Sequence, residues 1–129
     1  MTDPQGSHPK TGLRRIINAF SFSANGLRKT WKHEAAFRQE VNLLLVALVI
    51  LAVFDFNNTE RAILVFVSLM VLVVELLNTA VETVVDRIGP EHHKLSGRAK
   101  DMGSAAVLMS LIAAGLCWLF IGFDVLQRS

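Results

Sequence analysis

From Met102 to Phe123 the chain carries no charged side chain, and as an α-helix this stretch is roughly 33 Å long at ~1.5 Å per residue, enough to cross a hydrocarbon core of ~30 Å. Such a run is hard to hide in a small soluble domain. Two further apolar runs accompany it. One begins near Arg61, stays apolar through Val74 and ends near Val85, while the other extends from about Ala35 to Phe54 and is strongly apolar only from Val41 onward. That strongly apolar part is shorter than the ~20 residues a crossing helix needs, so Ala35, Ala36 and Phe37 are expected to extend it while Arg38, Gln39 and Glu40 face protein or the interface. The predicted spans are 35–54, 62–85 and 102–123, with Asp55–Thr59 as a short turn. Apolar residues make up 52% of the 129, which fits one all-α integral membrane domain. Cys117 is the only cysteine, so one chain builds neither a disulfide framework nor a cysteine metal site.

Residues 1–9 are polar and rich in helix breakers, without the apolar core of a secretory signal, and are predicted to be disordered. Residues 10–33 follow as a basic segment free of acids. Leu13, Ile16, Phe20, Ala24, Leu27 and Trp31 recur there at steps of three and four, which puts them on one helical stripe, with Arg14, Arg15, Arg28, Lys29 and Lys32 on the other side. The pattern predicts a helix lying at the bilayer surface, its apolar stripe in the acyl boundary and its cations among anionic headgroups. An amphipathic helix docked on protein has the same pattern. A mitochondrial presequence has a similar composition, but the downstream spans favour the membrane-surface reading. Asn25–Gly26 is expected to bend or interrupt the helix.

Lys10, Arg14, Arg15, Arg28, Lys29, Lys32 and Arg38 cluster at the N-terminal side, and Arg87, Lys94, Arg98 and Lys100 lie between the second and third spans. Arg61 and Arg128 fall at the opposite ends. By the positive-inside rule the N-terminus and the second loop face the cytoplasm, and the first loop and C-terminus lie outside.

Glu75, Asn78, Glu82 and Asp86 sit at i, i+3, i+7 and i+11, on one narrow face of the second span. A charge at mid-bilayer costs roughly 2.5–3.5 kcal/mol even on the lenient insertion scale, so acids persist in a span where they face protein, a cation or a water-filled pocket. One reading is a functional site; the other is helix glue, with the acids paired to Arg38 or Arg87. Glu34 adds an acid at the mouth of the first span, and Arg38 at i+4 offers it a salt bridge. The segment Asp86–Asp101 reads as a charged loop whose default is a solvated connector. Its His92–His93 pair lacks the third ligand of a zinc site. Its position beside the acidic face would let a divalent cation bridge the acids to an anionic ligand.

In the third span Ala106, Ser110 and Ala114 recur every fourth residue, with Gly103 on nearly the same face, a spacing that allows close helix contact in lipid or packing within one protomer. Three helices are not expected to shield a polar stripe alone, which predicts a homo-oligomer.

The residues so far imply an acidic pocket and no particular reaction. The sequence has neither a GxxxxGK[ST] phosphate loop nor protein-kinase signatures. Three stretches, Glu34–Glu40 (EAAFRQE), Val74–Arg87 (VELLNTAVETVVDR) and Glu91–Ala106 (EHHKLSGRAKDMGSAA), closely resemble the prokaryotic diacylglycerol kinases in order and spacing, and the resemblance runs from about Gly12 to Phe123. It implies a homotrimer of three-span protomers, each with an N-terminal surface helix and with residues 34–126 as the kinase domain. It also implies phosphorylation of diacylglycerol by magnesium-bound ATP at the cytoplasmic face of the bacterial inner membrane, with no nucleic-acid partner.

Carried over by position, the resemblance implies that Glu75 is the general base and that Glu34 and Glu82 hold the magnesium. Arg15, Phe22, Glu34, Glu82, Glu91, His92, His93, Lys100 and Asp101 correspond to ATP-binding positions. Arg15, Ser23, Glu75 and Ser104 correspond to positions near the lipid, and Asn78 supports the arrangement. Before Glu34 the match loosens: Ala24 and Asn25 stand where some members have Trp and Lys, and Phe20 replaces a small residue. His92 replaces a Tyr of some relatives.

Two other functions compete. A polyprenol kinase of the same fold would share these motifs, although the Ala36–Glu40 segment favours the diacylglycerol branch. A small proton-coupled transporter subunit or membrane scaffold could also carry intramembrane acids, but a transporter needs polar residues toward both mouths, and the outer halves of these spans offer only Asn42 and Ser68.

Overall fold

The chain forms four α-helices in the computed structural model, which describes residues 12–129. The expected disorder of residues 1–9 and the helix start at Lys10 lie outside the described residues. The chain divides between Glu34 and Ala35 into two units, each described by itself.

The first unit contains α1, Leu13–His33, whose start is preceded by Gly12 at φ 62° and whose end is marked by the extended backbone of Glu34. Asn25–Gly26 does not interrupt it. Helical hydrogen bonding runs through both residues, and Thr30 Oγ1 donates back to the Gly26 carbonyl at 2.8 Å. One glycine costs a helix only about 1 kcal/mol, which the flanking turns absorb.

The second unit contains α2 (Ala35–Val53), α3 (Asn58–Ile88) and α4 (Lys94–Arg128), all three long and apolar enough to cross a membrane. Helix α3 packs against both α2 and α4. Many large apolar side chains point outward, among them Leu43, Phe66, Leu77, Met109 and Phe120. This would be costly in water and suits lipid, where helices associate through close packing and interhelical hydrogen bonds.

Helices α3 and α4 extend beyond the predicted spans, and α2 stops one residue short of its own. Asn58 and Thr59, expected in the turn, already belong to α3, because Asn57 caps it. The Asn57 side chain accepts from Glu60 N, and Glu60 Oε2 accepts from Asn57 N, both at 2.9 Å. This reciprocal cap satisfies two otherwise orphaned donors. At the other end the expected loop 86–101 shrinks to Gly89–His93, since α3 runs to Ile88 and α4 starts at Lys94. His93 caps α4 through Nδ1, which accepts from Leu95 N at 3.1 Å.

The apolar core sits toward the α2–α3 turn, where Leu51, Phe56, Leu64 and Val125 are buried together. Phe56 meets Trp118 edge to face, with ring centroids 6.2 Å apart, and Trp118 Nε1 donates to Ser68 Oγ at 3.0 Å across α3 and α4. Arg128 closes this end, donating to both carboxylate oxygens of Glu60 at 2.9 Å. Toward the opposite end, by the α3–α4 turn, the buried apolar residues Phe37 and Val85 are accompanied along the helices by the buried polar Glu75 and Asn78. The packed face of α4 includes Gly103, Ser110 and Ala114, all half-buried, but Ala106 is exposed. Within one chain the packed face of α4 therefore takes in only part of the small-residue stripe, and Ala106 is left on the exposed side.

Candidate active site

Helix α3 carries its polar residues along a gradient of burial. Glu75 is 6% exposed and Asn78 9%; Glu82 is half-buried and Asp86 exposed. A helix turns 3.6 residues per cycle, so this face leads stepwise from the interior toward the α3–α4 turn. A single chain thus covers Glu75 and Asn78 and leaves the stripe open from Glu82 to Asp86, so its three helices shield it only in part.

Asn78 Nδ2 donates to Glu82 Oε1 at 3.4 Å, a one-turn contact typical of an i, i+4 pair. Asn78 Oδ1 is buried with no hydrogen-bond partner and abuts Gly103 of α4. On α2, Glu40 comes near enough to Glu75 for their charges to interact. One of its carboxylate oxygens is buried without a hydrogen bond. Glu40 stands at the polar end of a cleft of about 330 Å³ whose other walls include Leu44, Ile50, Val71, Ala114 and Trp118. Its acid at the head of an apolar run was visible in the sequence, but nothing there tied it to Glu75.

Lys100 and Asp101 lie on α4, not in a loop, and adjacent helical residues diverge by ~100°. Lys100 Nζ donates to Asp86 Oδ1 at 2.7 Å, which links α4 to the end of the acidic stripe. Asp101 instead lines an open shelf with Lys94, Arg98 and Met102. Glu91, His92 and His93 are exposed in the turn, and Ser104 is exposed on α4 next to Gly103.

The remaining candidates belong to the first unit. Arg15, Phe22 and Ser23 are exposed on α1, and a separation of seven residues puts Arg15 and Phe22 on one face. Ser23 Oγ donates to the Ala19 carbonyl at 2.9 Å. Glu34 is half-buried at the C-terminal cap, where its N–H donates to the Thr30 carbonyl at 2.8 Å.

Among the described residues no three His, Cys, Asp or Glu side chains gather closely enough to hold a metal ion unaided. The donor set is nonetheless all oxygen. Magnesium is commonly held by one or two carboxylates, substrate phosphates and waters. Glu82, half-buried and steadied by Asn78, has the right chemistry for such a partial site.

The sequence model of the family described as prokaryotic diacylglycerol kinase matches residues 21–122. A curated diacylglycerol kinase of Escherichia coli K12 is 51% identical over 111 residues, which cover 86% of this chain and 91% of the relative. Its counterpart in Haemophilus influenzae is 47% identical over 110 residues, covering 84% and 92%. That of Pseudomonas aeruginosa is 45% identical over 112 residues, covering 87% and 91%.

Proposed function

This chain belongs to the prokaryotic diacylglycerol kinase family, and on that premise we propose that it is an enzyme that transfers the γ-phosphoryl group of magnesium-bound ATP to the primary hydroxyl of diacylglycerol, with Glu75 as the base. The observation that carries the reading is the burial of Glu75 on the same stripe of α3 as the Asn78–Glu82 pair. A carboxylate kept from water about two turns from a metal-competent acid suits proton removal next to a phosphate, and it exceeds what joining helices requires.

The lipid reaches the site laterally. The cleft below Glu40, apolar along most of its wall, matches an amphiphile that presents a hydroxyl at one end and acyl chains at the other. Glu75 takes the hydroxyl proton as the lipid oxygen forms its bond to the γ-phosphorus. The bond from that phosphorus to the β,γ-bridging oxygen breaks, and ADP leaves with that electron pair. Such a transfer depends on positioning and charge neutralisation more than on covalent help. Lys100, freed from Asp86, supplies a cation to phosphate oxygens. Magnesium, when bound with ATP, neutralises phosphate charge, and Glu34 and Glu82 are the residues that would hold it.

Arg15, Phe22, Glu91, His92, His93 and Asp101 contribute to the nucleotide site, and Arg15, Ser23 and Ser104 lie toward the lipid; the family resemblance supports these assignments. It also supports a homotrimer, and the wide sequence separation of the basic surface helix from the acidic stripe favours sites that draw on more than one protomer. The clustered basic residues favour a cytoplasmic site and N-terminus in the bacterial inner membrane, and α1 suits the interface.

The test is purified protein with γ-labelled ATP and either diacylglycerol or a polyprenol as acceptor. Magnesium-dependent labelling of phosphatidic acid is the expected outcome. Preferential labelling of the polyprenol would move the enzyme to the other branch, and no labelled lipid would remove the kinase reading.

A further inference from the structure

Gly103 is the point at which α4 meets the polar stripe of α3. A methyl group on its Cα would collide with Asn78 Oδ1 and lie 3.3 Å from Asn78 Cγ. Asn78 is buried, its oxygen has no hydrogen-bond partner, and its nitrogen donates to Glu82. The direction of the amide follows from the chemistry of its partner. An ionised carboxylate only accepts, so the NH₂ must turn to Glu82 and the oxygen must turn away. It turns against Gly103. Leaving a buried carbonyl unpaired is unfavourable, and the absence of a side chain at 103 leaves room for that orientation.

We infer that Gly103 is a positioning residue for the cation site, its bare Cα providing the space in which Asn78 holds the Glu82 carboxylate in place. The inference rests on the reading of Glu82 as a magnesium ligand. Partners that orient a metal ligand commonly affect affinity nearly as much as the ligand itself. A Cβ at position 103 can be accommodated by rotating Asn78 away from Glu82 or by moving α4 away from α3. The obstructing atom is the end of a side chain rather than backbone, so rotation is the easier escape. The helix pair then survives while Glu82 loses its restraint.

The experiment uses the full-length protein in detergent micelles with a non-hydrolysable ATP analogue. Mn²⁺ is titrated in as the probe, with free ion read by electron paramagnetic resonance. Gly103→Ala weakens Mn²⁺ binding about tenfold, and Asn78→Ala does so similarly. The double variant binds no more weakly than Asn78→Ala alone, because the added methyl no longer has an amide to displace. In the kinase assay the loss falls on half-saturating magnesium and not on the KM for diacylglycerol. Wild-type affinity in Gly103→Ala, or losses that multiply in the double variant, would overturn the inference. If Gly103→Ala fails to fold, the double variant decides: a folded protein with the affinity of Asn78→Ala supports the inference, and a second failure to fold contradicts it. Glu82→Gln separates the two levels. If it binds Mn²⁺ like wild type, the ligand reading fails and the inference with it. If it binds weakly while Gly103→Ala does not, only the inference fails.

Discussion

Lys100 on α4 reaches Asp86 at the end of α3 with an Nζ to Oδ1 distance of 2.7 Å. The Lys100 side chain is 44% exposed and that of Asp86 68%, and solvent-exposed pairs contribute at most about 1 kcal/mol. Lys100 can therefore exchange this partner for a phosphate at little cost. Lys100→Ala is expected to raise the KM for ATP at least tenfold, the loss of roughly one charge-assisted hydrogen bond of ~1.5 kcal/mol. Asp86→Asn is expected to leave thermal stability nearly unchanged. Steady-state kinetics and thermal denaturation in micelles check both, and an unchanged KM in Lys100→Ala would remove Lys100 from the nucleotide site.

Glu34→Gln and Glu82→Gln should each raise the magnesium concentration needed for half-maximal rate, since an amide keeps the shape of the side chain and loses the charge that binds a hard cation. Activity measured against magnesium at fixed ATP reads the effect. Identical curves for both variants and the wild type would argue against ligation.

The core near the α2–α3 turn lies about three helical turns from the acidic stripe, and Leu64 within it is 0% exposed. Leu64→Ala is expected to destabilise the bundle by about 2 kcal/mol, the lower end for such truncations, because a lipid surround removes most of the water-transfer contribution and leaves the packing loss. Unfolding in mixed micelles measures it. A wild-type midpoint would mean that this core contributes little.

Orientation is tested by cysteine labelling in a Cys117→Ser background. A cysteine replacing Asn57 should react with an impermeant reagent applied outside the cytoplasmic membrane, and one replacing Ser96 should be protected in intact cells. The reversed pattern would turn the protein over in the membrane.

Much of the fold could be read from the sequence because lipid imposes simple rules. Uncharged length marked α4, and the i, i+3, i+7 spacing marked the face of α3 that is buried at Glu75 and Asn78. Helix ends were less legible. The expected loop at Lys94–Asp101 is helical because His93 caps α4, and the end of α3 follows local capping more than hydropathy. Asn57 with Glu60 was a readable capping box that the polar composition of the turn obscured. Contacts between helices were not legible: nothing in one sequence places Glu40 near Glu75, or Gly103 against Asn78, because both pairs depend on how the helices rotate against one another. The chemistry itself came from resemblance, since an acidic stripe specifies a charge and not a reaction.

The proposed mechanism depends most directly on Glu75. In Glu75→Gln the side chain keeps its shape and hydrogen-bonding size but cannot take a proton, and a lost general base costs about 10²–10⁴ in rate. The decisive measurement is single-turnover transfer of labelled phosphate from ATP to diacylglycerol by Glu75→Gln protein whose fold and assembly match the wild type by circular dichroism and size-exclusion chromatography. The mechanism requires a transfer rate at least about a hundredfold below wild type, with nucleotide binding retained. Transfer within a few-fold of wild type in a correctly folded sample would contradict it and assign the proton to another group.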